Sequence, residues 1–168
     1  MTYQDHFKLA DDIISHVDTV IHEIADSFIS SRYIGFISVS AVTVYELAIK
    51  EIFCDFATQE HEVLGSFVLS YFERINGQIK LKKIKEDYIP RFGQKYVDKF
   101  KAKIEEFELE SLKTSGRSIK NSYNNIIEWR NQFAHKGDIP PTATYQEAID
   151  SYFTGKEVIH CLSATMHH

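Results

Sequence analysis

Phe36-Ile37-Ser38-Val39-Ser40-Ala41-Val42-Thr43-Val44-Tyr45 is the stretch whose reading decides the fold of this chain. Taken alone, it is dense in β-branched residues and suits a strand. It continues, however, into Glu46-Leu47-Ala48-Ile49-Lys50-Glu51-Ile52-Phe53 without a turn signal. A largely apolar stretch over 34–57 with no internal turn signal is longer than an ordinary strand and predicts a buried helix. Lys50 stands four residues after Glu46, the favourable order for an ion pair along a helix.

On both sides of this run the apolar spacing is helical. Ala10, Ile13, Ile14, Val17, Val20, Ile21, Ile24 and Phe28 recur at steps of three and four, which predicts one amphipathic helix over 4–31. A third helix is expected over 60–76, stopped by Asn76-Gly77, and a shorter one over 78–92, broken before Pro90 and Gly93. Tyr96, Phe100, Ile104 and Phe107 mark a helix over 94–108, and 110–116 reads as a loop. From Ser118, the positions Ile119, Tyr123, Ile126, Ile127, Arg130, Phe133 and Ala134 carry a helix to Gly137. Pro140 and Pro141 forbid its continuation, and a last helix runs from about Thr144 through Leu162. The expected fold is all-α, an up-and-down four-helix bundle with additional short helices, in one domain over 1–168.

Composition narrows the function classes. With 43% hydrophobic and 26% charged residues the chain is ordinary for a globular protein, and no apolar run approaches the ~20 residues that span a bilayer. Met1-Thr2-Tyr3-Gln4-Asp5 has neither the basic start nor the apolar block of a signal peptide. Two cysteines, Cys54 and Cys161, make neither a disulfide framework nor a zinc site. These features give the expectation of a cytoplasmic chain with no membrane partner. A net charge of −5 argues against indiscriminate binding to nucleic acid, yet the charge is unevenly spread. Residues 80–106 hold nine Lys and Arg against five acids, a local +4. That segment suits guidance of a polyanion, and suits still better the plainer reading of solvated helix faces with Lys and Glu interspersed.

The residues that carry chemistry lie at the end of the helix stopped by Gly137, in Trp129-Arg130-Asn131-Gln132-Phe133-Ala134-His135-Lys136-Gly137. Arginine is a permanent planar cation that grips phosphate bidentately, and histidine is the side chain best placed for proton transfer near neutral pH. Asn131 offers donors and an acceptor for a phosphate oxygen or a ribose hydroxyl, and Lys136 stands beside the histidine as a supporting candidate. Arg130 and His135 are five residues apart, hence about 140° apart around a regular helix, and do not aim at one atom. They meet either if the final turn loosens or if a second copy of the helix packs across a two-fold axis. A structural reading stands beside the chemical one: Arg130 paired with Glu128 or Glu46, and His135 capping the helix end.

Other constellations are weaker. His16 and His22, among Asp11, Asp12 and Asp18, diverge by about 120° and do not converge on one ion, so no metal site is expected. His160 and Cys161 are adjacent and diverge by about 100°, which rules out a nucleophile pair. Phe92, Tyr96, Phe100 and Phe107 fall at helical spacing and read as core. There is no phosphate-cradling glycine loop.

The segment Tyr123-Asn124-Asn125-Ile126-Ile127-Glu128-Trp129-Arg130-Asn131-Gln132-Phe133-Ala134-His135-Lys136-Gly137 resembles the signature helix of HEPN domains, small all-α domains with an Arg, a polar residue, a short spacer and a His. The turn and final helix from Thr142-Ala143-Thr144-Tyr145 through Leu162 are similar to the end of such domains, particularly the RiboL-PSP and MAE-type HEPN-like nucleases. Glu46 in Val44-Tyr45-Glu46-Leu47 matches their earlier acidic helix, while Lys136 interrupts the small-Gly ending usual after the His. The resemblance implies a metal-independent endoribonuclease without a cofactor, acting as a homodimer with a composite cleft. On that reading Arg130 holds the scissile phosphate and His135 deprotonates the ribose 2′-hydroxyl. Asn131 orients a reacting oxygen, and Glu46 anchors Arg130 or assists the proton transfer. It further implies an RNA substrate and a toxin or phage-defence role, restrained by an antitoxin or other regulatory protein. The reading in a different class is a non-catalytic HEPN-like module that binds a partner protein or nucleotide and uses the same helix as a dimer seam.

Overall fold

The deciding stretch is helical. In the computed structural model, which describes residues 2–167, it lies within α2, Ser27–Glu60. Burial outweighs the β-preference of its residues: Ile37, Ala41, Val42, Val44, Tyr45, Ala48, Ile49, Ile52 and Phe53 are all sequestered. Its hydroxyl side chains are satisfied inside the helix, Ser38 on the Ile34 carbonyl, Ser40 on Phe36 and Thr43 on Val39, each at 2.9 Å.

Before it, the expected helix over 4–31 is two helices. α1 spans Phe7–Val20, tightens into a 3₁₀ turn at Ile21–Glu23, and ends where Ile24 turns extended. The Asp26 carboxylate then caps α2, accepting Phe28 N–H at 2.8 Å and Ile29 N–H at 3.4 Å. Phe28, counted in the apolar stripe, is 63% exposed, because it opens the second helix rather than extending the first.

α3, Glu62–Phe72, is shorter than the expected 60–76 helix, and residues 73–80 form a connection. α4, Leu81–Lys83, runs on as a π-helical turn, Ile84–Tyr88, and a 3₁₀ turn, Ile89–Phe92, that accommodates Pro90. α5 covers Gln94–Ser115, so residues 110–115 are helix and not loop. The Thr114 and Ser115 hydroxyls bond to the Glu110 and Ser111 carbonyls, both at 2.9 Å, which lets these residues stay in the helix. α6 spans Ile119–Lys136, opened by Ser118 and closed by Gly137, and α7 spans Tyr145–Met166, opened by Thr144.

The described residues hold seven α-helices and no strand. The long helices α2, α5, α6 and α7 form the all-α bundle, with α5 packed chiefly on α7, and α1 and α3 laid on α2. At the centre Tyr45 of α2 stacks on Tyr123 of α6 at 5.3 Å and on Tyr152 of α7 at 5.8 Å. Its hydroxyl donates to the Tyr152 carbonyl at 2.5 Å. Gly155 makes room for this bond, since a Cβ there would stand 2.6 Å from the Tyr45 oxygen. Among the described residues no helix is long and apolar enough to cross a membrane.

Candidate active site

α6 holds its α-helical form through its last residue. Gly137 N–H donates to the Phe133 carbonyl at 2.9 Å, and Gly137 takes φ +64°, a left-handed stop that glycine adopts freely. The loosened final turn therefore does not occur, and on one copy of the helix Arg130 and His135 point about 140° apart.

Arg130 is half-buried and held from two sides. Nη1 donates to Asn131 Oδ1 at 2.9 Å. The guanidinium also lies against Gly77, where a Cβ would stand 2.7 Å from Nη2 and 3.2 Å from Cζ. Gly77 takes φ +74° as well, a conformation that favours glycine, and a Cβ there would push the guanidinium from its place.

The loop that carries Gly77 is pinned by three side chains. Glu46 Oε2 accepts Gly77 N–H, Tyr88 Oη donates to the Gln78 carbonyl at 2.6 Å, and Tyr123 Oη donates to the Ile79 carbonyl at 2.6 Å. Ile75 and Ile79 anchor the same loop in the core. Tyr123 thus links the central tyrosine stack to the wall of the arginine site.

Neither carboxylate considered as a partner for Arg130 pairs with it. Glu46 Oε1 takes Lys50 Nζ at 2.7 Å, the i,i+4 pair expected from sequence, and Glu128 accepts Gln132 Nε2 at 3.5 Å. Among the described residues Arg130 makes no ion pair. A fixed guanidinium without a counter-charge is an open grip for an anion. Glu46 reaches Arg130 only through the Gly77 loop.

His135 and Lys136 are exposed in the last turn of α6, and neither bonds to another described side chain. Gly137 closes the helix end, so capping is not the work of His135. Arg32, which the sequence reading did not single out, also approaches this end. Its Nη1 lies 3.7 Å from the position of a Gly137 Cβ, and its guanidinium covers the Phe28 ring at 4.2 Å. One turn on, Gly35 receives the Phe133 ring, against which a Cβ would stand at 2.2 Å. The start of α2 thereby braces the end of α6. The signal for this was the Asp26-Ser27 helix start, which the continuous stripe through Phe28 masked.

The remaining sequence candidates lie apart. Among the described residues no three His, Cys, Asp or Glu side chains cluster closely enough to hold a metal ion. Burial pushes the Cys54 thiol up to about 11 and the Cys161 thiol up to about 12, which keeps both protonated at neutral pH. His160 Nδ1 bonds to Tyr3 Oη at 2.9 Å rather than to Cys161.

No curated protein matches the chain, and no solved structure does. The family model described as RiboL-PSP-HEPN matches residues 3–167, from the turn before α1 to the end of α7. With the match spanning both the all-α bundle and the helix that bears Arg130 and His135, the chain belongs to the RiboL-PSP-HEPN family.

Proposed function

We propose that this chain is an endoribonuclease that cuts RNA without a metal ion or cofactor, through a cleft shared by two copies of α6. The observation that carries the reading is the Arg130 guanidinium, fixed over Gly77 and beside Asn131 with no carboxylate to neutralise it. His135, five residues on, is exposed and has no structural duty in the fold.

Arg130 of one copy binds the non-bridging oxygens of the scissile phosphate and stabilises the charge that grows there on attack. His135 of the other copy accepts the proton of the ribose 2′-hydroxyl as O2′ attacks phosphorus. The bond from phosphorus to O5′ breaks, and the departing oxygen takes a proton from the imidazolium. The products are a 2′,3′-cyclic phosphate and a 5′-hydroxyl. Asn131 orients an oxygen of the reacting group, and Lys136 and Arg32 add positive charge at the mouth of the cleft. Glu46 acts as a positioning residue through the loop that backs Arg130. The regular end of α6, which separates Arg130 and His135 on a single chain, supports the two-copy arrangement. In the cell the reading is a cytoplasmic toxin or phage-defence effector, restrained by an antitoxin or regulatory protein.

The test is RNA cleavage in EDTA. Wild-type protein is expected to yield 2′,3′-cyclic ends, with Arg130→Ala and His135→Ala each slower by about 10²–10³. Intact RNA with the wild-type dimer would leave the non-catalytic binding module as the better reading. A solution mass showing monomer alone would remove the shared cleft.

A further inference from the structure

α6 carries a row of polar side chains of which the proposed chemistry uses only Asn131. Asn124, Glu128 and Asn131 follow at steps of four and three on one helix face, with Gln132 beside them. Across from this row stand Lys80, Lys82 and Lys85, from the residue before α4, from α4 itself and from the π-helical turn after it. Between the two lies a groove of about 720 Å³, with the buried Leu81 and Ile127 in its lining. Asn131 borders the groove, and its Oδ1 accepts Arg130 Nη1 at 2.9 Å. One edge of the groove therefore lies a single hydrogen bond from the guanidinium proposed to hold the scissile phosphate.

Its chemistry is mixed in an informative way. Lys82 is spent loosely on Glu86 at 3.8 Å, and Glu128 accepts from Gln132 at 3.5 Å. Lys80 and Lys85 form no ion pair among the described residues, on a chain whose net charge is −5. Two ammonium groups held in no ion pair suit backbone phosphates, while amides that both donate and accept suit the edge of an unpaired base. A duplex buries that edge, so the combination fits single-stranded RNA better than a helix.

We infer that this groove seats the single-stranded nucleotides next to the scissile phosphate. Lys80 and Lys85 hold the backbone, and Asn124 and Gln132 read the base. The inference rests on the ribonuclease reading above, and binding is therefore measured apart from cleavage. His135→Ala serves as the parent, with fluorescence anisotropy of a short unstructured RNA titrated over a range of salt. Adding Lys80→Ala and Lys85→Ala is expected to weaken binding about tenfold at low salt, and to flatten the slope of log affinity against log salt by about 1.4. Asn124→Ala is expected to change the ranking of oligo-U, oligo-A and oligo-C while leaving that slope alone.

Unchanged affinity and slope in a lysine variant that melts like its parent would overturn the groove, as would a parent that binds no RNA. Lysine-dependent binding by a wild-type protein that leaves RNA intact would uphold the groove and sink the ribonuclease. Wild-type cleavage reproduced in full by Lys80→Ala with Lys85→Ala in a chain that keeps His135 would sink the groove alone.

Discussion

Glu46 and Gly77, thirty-one residues apart in sequence, meet through a hydrogen bond from the Gly77 backbone N–H to the Glu46 carboxylate. Gly77 is also the residue against which the Arg130 guanidinium rests. An acidic side chain of α2 thus backs the position of an arginine on α6 with which it forms neither an ion pair nor a hydrogen bond. Removing the acceptor leaves a partly buried N–H unpaired, so Glu46→Ala is expected to cost about 1–3 kcal/mol. RNA cleavage should fall at least tenfold as the loop loosens. Glu46→Gln keeps a carbonyl acceptor and should retain more of both, read by melting and by initial rates. Equal losses in the two variants would point to the charge itself rather than to the loop.

Gly77→Ala and Gly116→Ala form a matched pair. Both glycines have positive φ, +74° and +70°, so each substitution should cost about 1–3 kcal/mol of stability. Only the Cβ at 77 meets Arg130, while nothing lies within 4 Å at 116. Cleavage should drop in Gly77→Ala and hold in Gly116→Ala once both are assayed well below their melting temperatures. Activity lost equally in both would show that Gly77 matters only to stability.

Gly35→Ala places a methyl 2.2 Å from the Phe133 ring and should destabilise the junction of α2 with α6 by about 1–3 kcal/mol through overpacking. Adding Phe133→Leu should recover part of the loss, since it removes the ring that clashes. Urea midpoints measure both effects, and additive losses in the double variant would contradict the contact.

His160 provides a test in acid. Burial holds its imidazole below the usual histidine range, and its Nδ1 bonds to Tyr3 Oη. The folded value is the lower of the two, so the neutral form favours folding. Stability is full above the unfolded value near 6.5 and is lost as pH falls through it toward the folded value. Stability curves from pH 7 to pH 5 should fall less steeply in His160→Gln than in wild type. Identical slopes would remove His160 from the acid response.

The two ends of the chain show what a sequence reveals and what it hides. The helix from Ser118 to Gly137 was legible because its start, its stripe and its stop agree: a serine cap, apolar steps of three and four, and a glycine followed by two prolines. The break at Ile24–Asp26 was hidden because Ile24 and Phe28 fall on the three- and four-residue steps of the α1 stripe, although Phe28 is exposed in α2, so only the Asp26 cap marks the seam. Residues 110–115 looked like a loop by composition, yet their hydroxyls bond back into α5.

The candidate site divides in the same manner. Arg130 and Asn131 are neighbours in sequence and in space, and Lys50 with Glu46 obeys a local spacing rule. Gly77 behind Arg130, Arg32 near Gly137 and Lys80 opposite Asn131 arise only from packing between distant elements. No periodicity within a helix encodes such meetings.

The most direct test of the shared cleft mixes two impaired proteins. Arg130→Ala lacks the phosphate grip and His135→Ala lacks the base. In a heterodimer of the two, one cleft combines the intact Arg130 of one copy with the intact His135 of the other. Each variant alone should cut RNA about 10²–10³ more slowly than wild type, and the mixture should regain cleavage well above either in EDTA with 2′,3′-cyclic ends. A mixture no faster than either variant, with the heterodimer demonstrated by mass, would contradict the account.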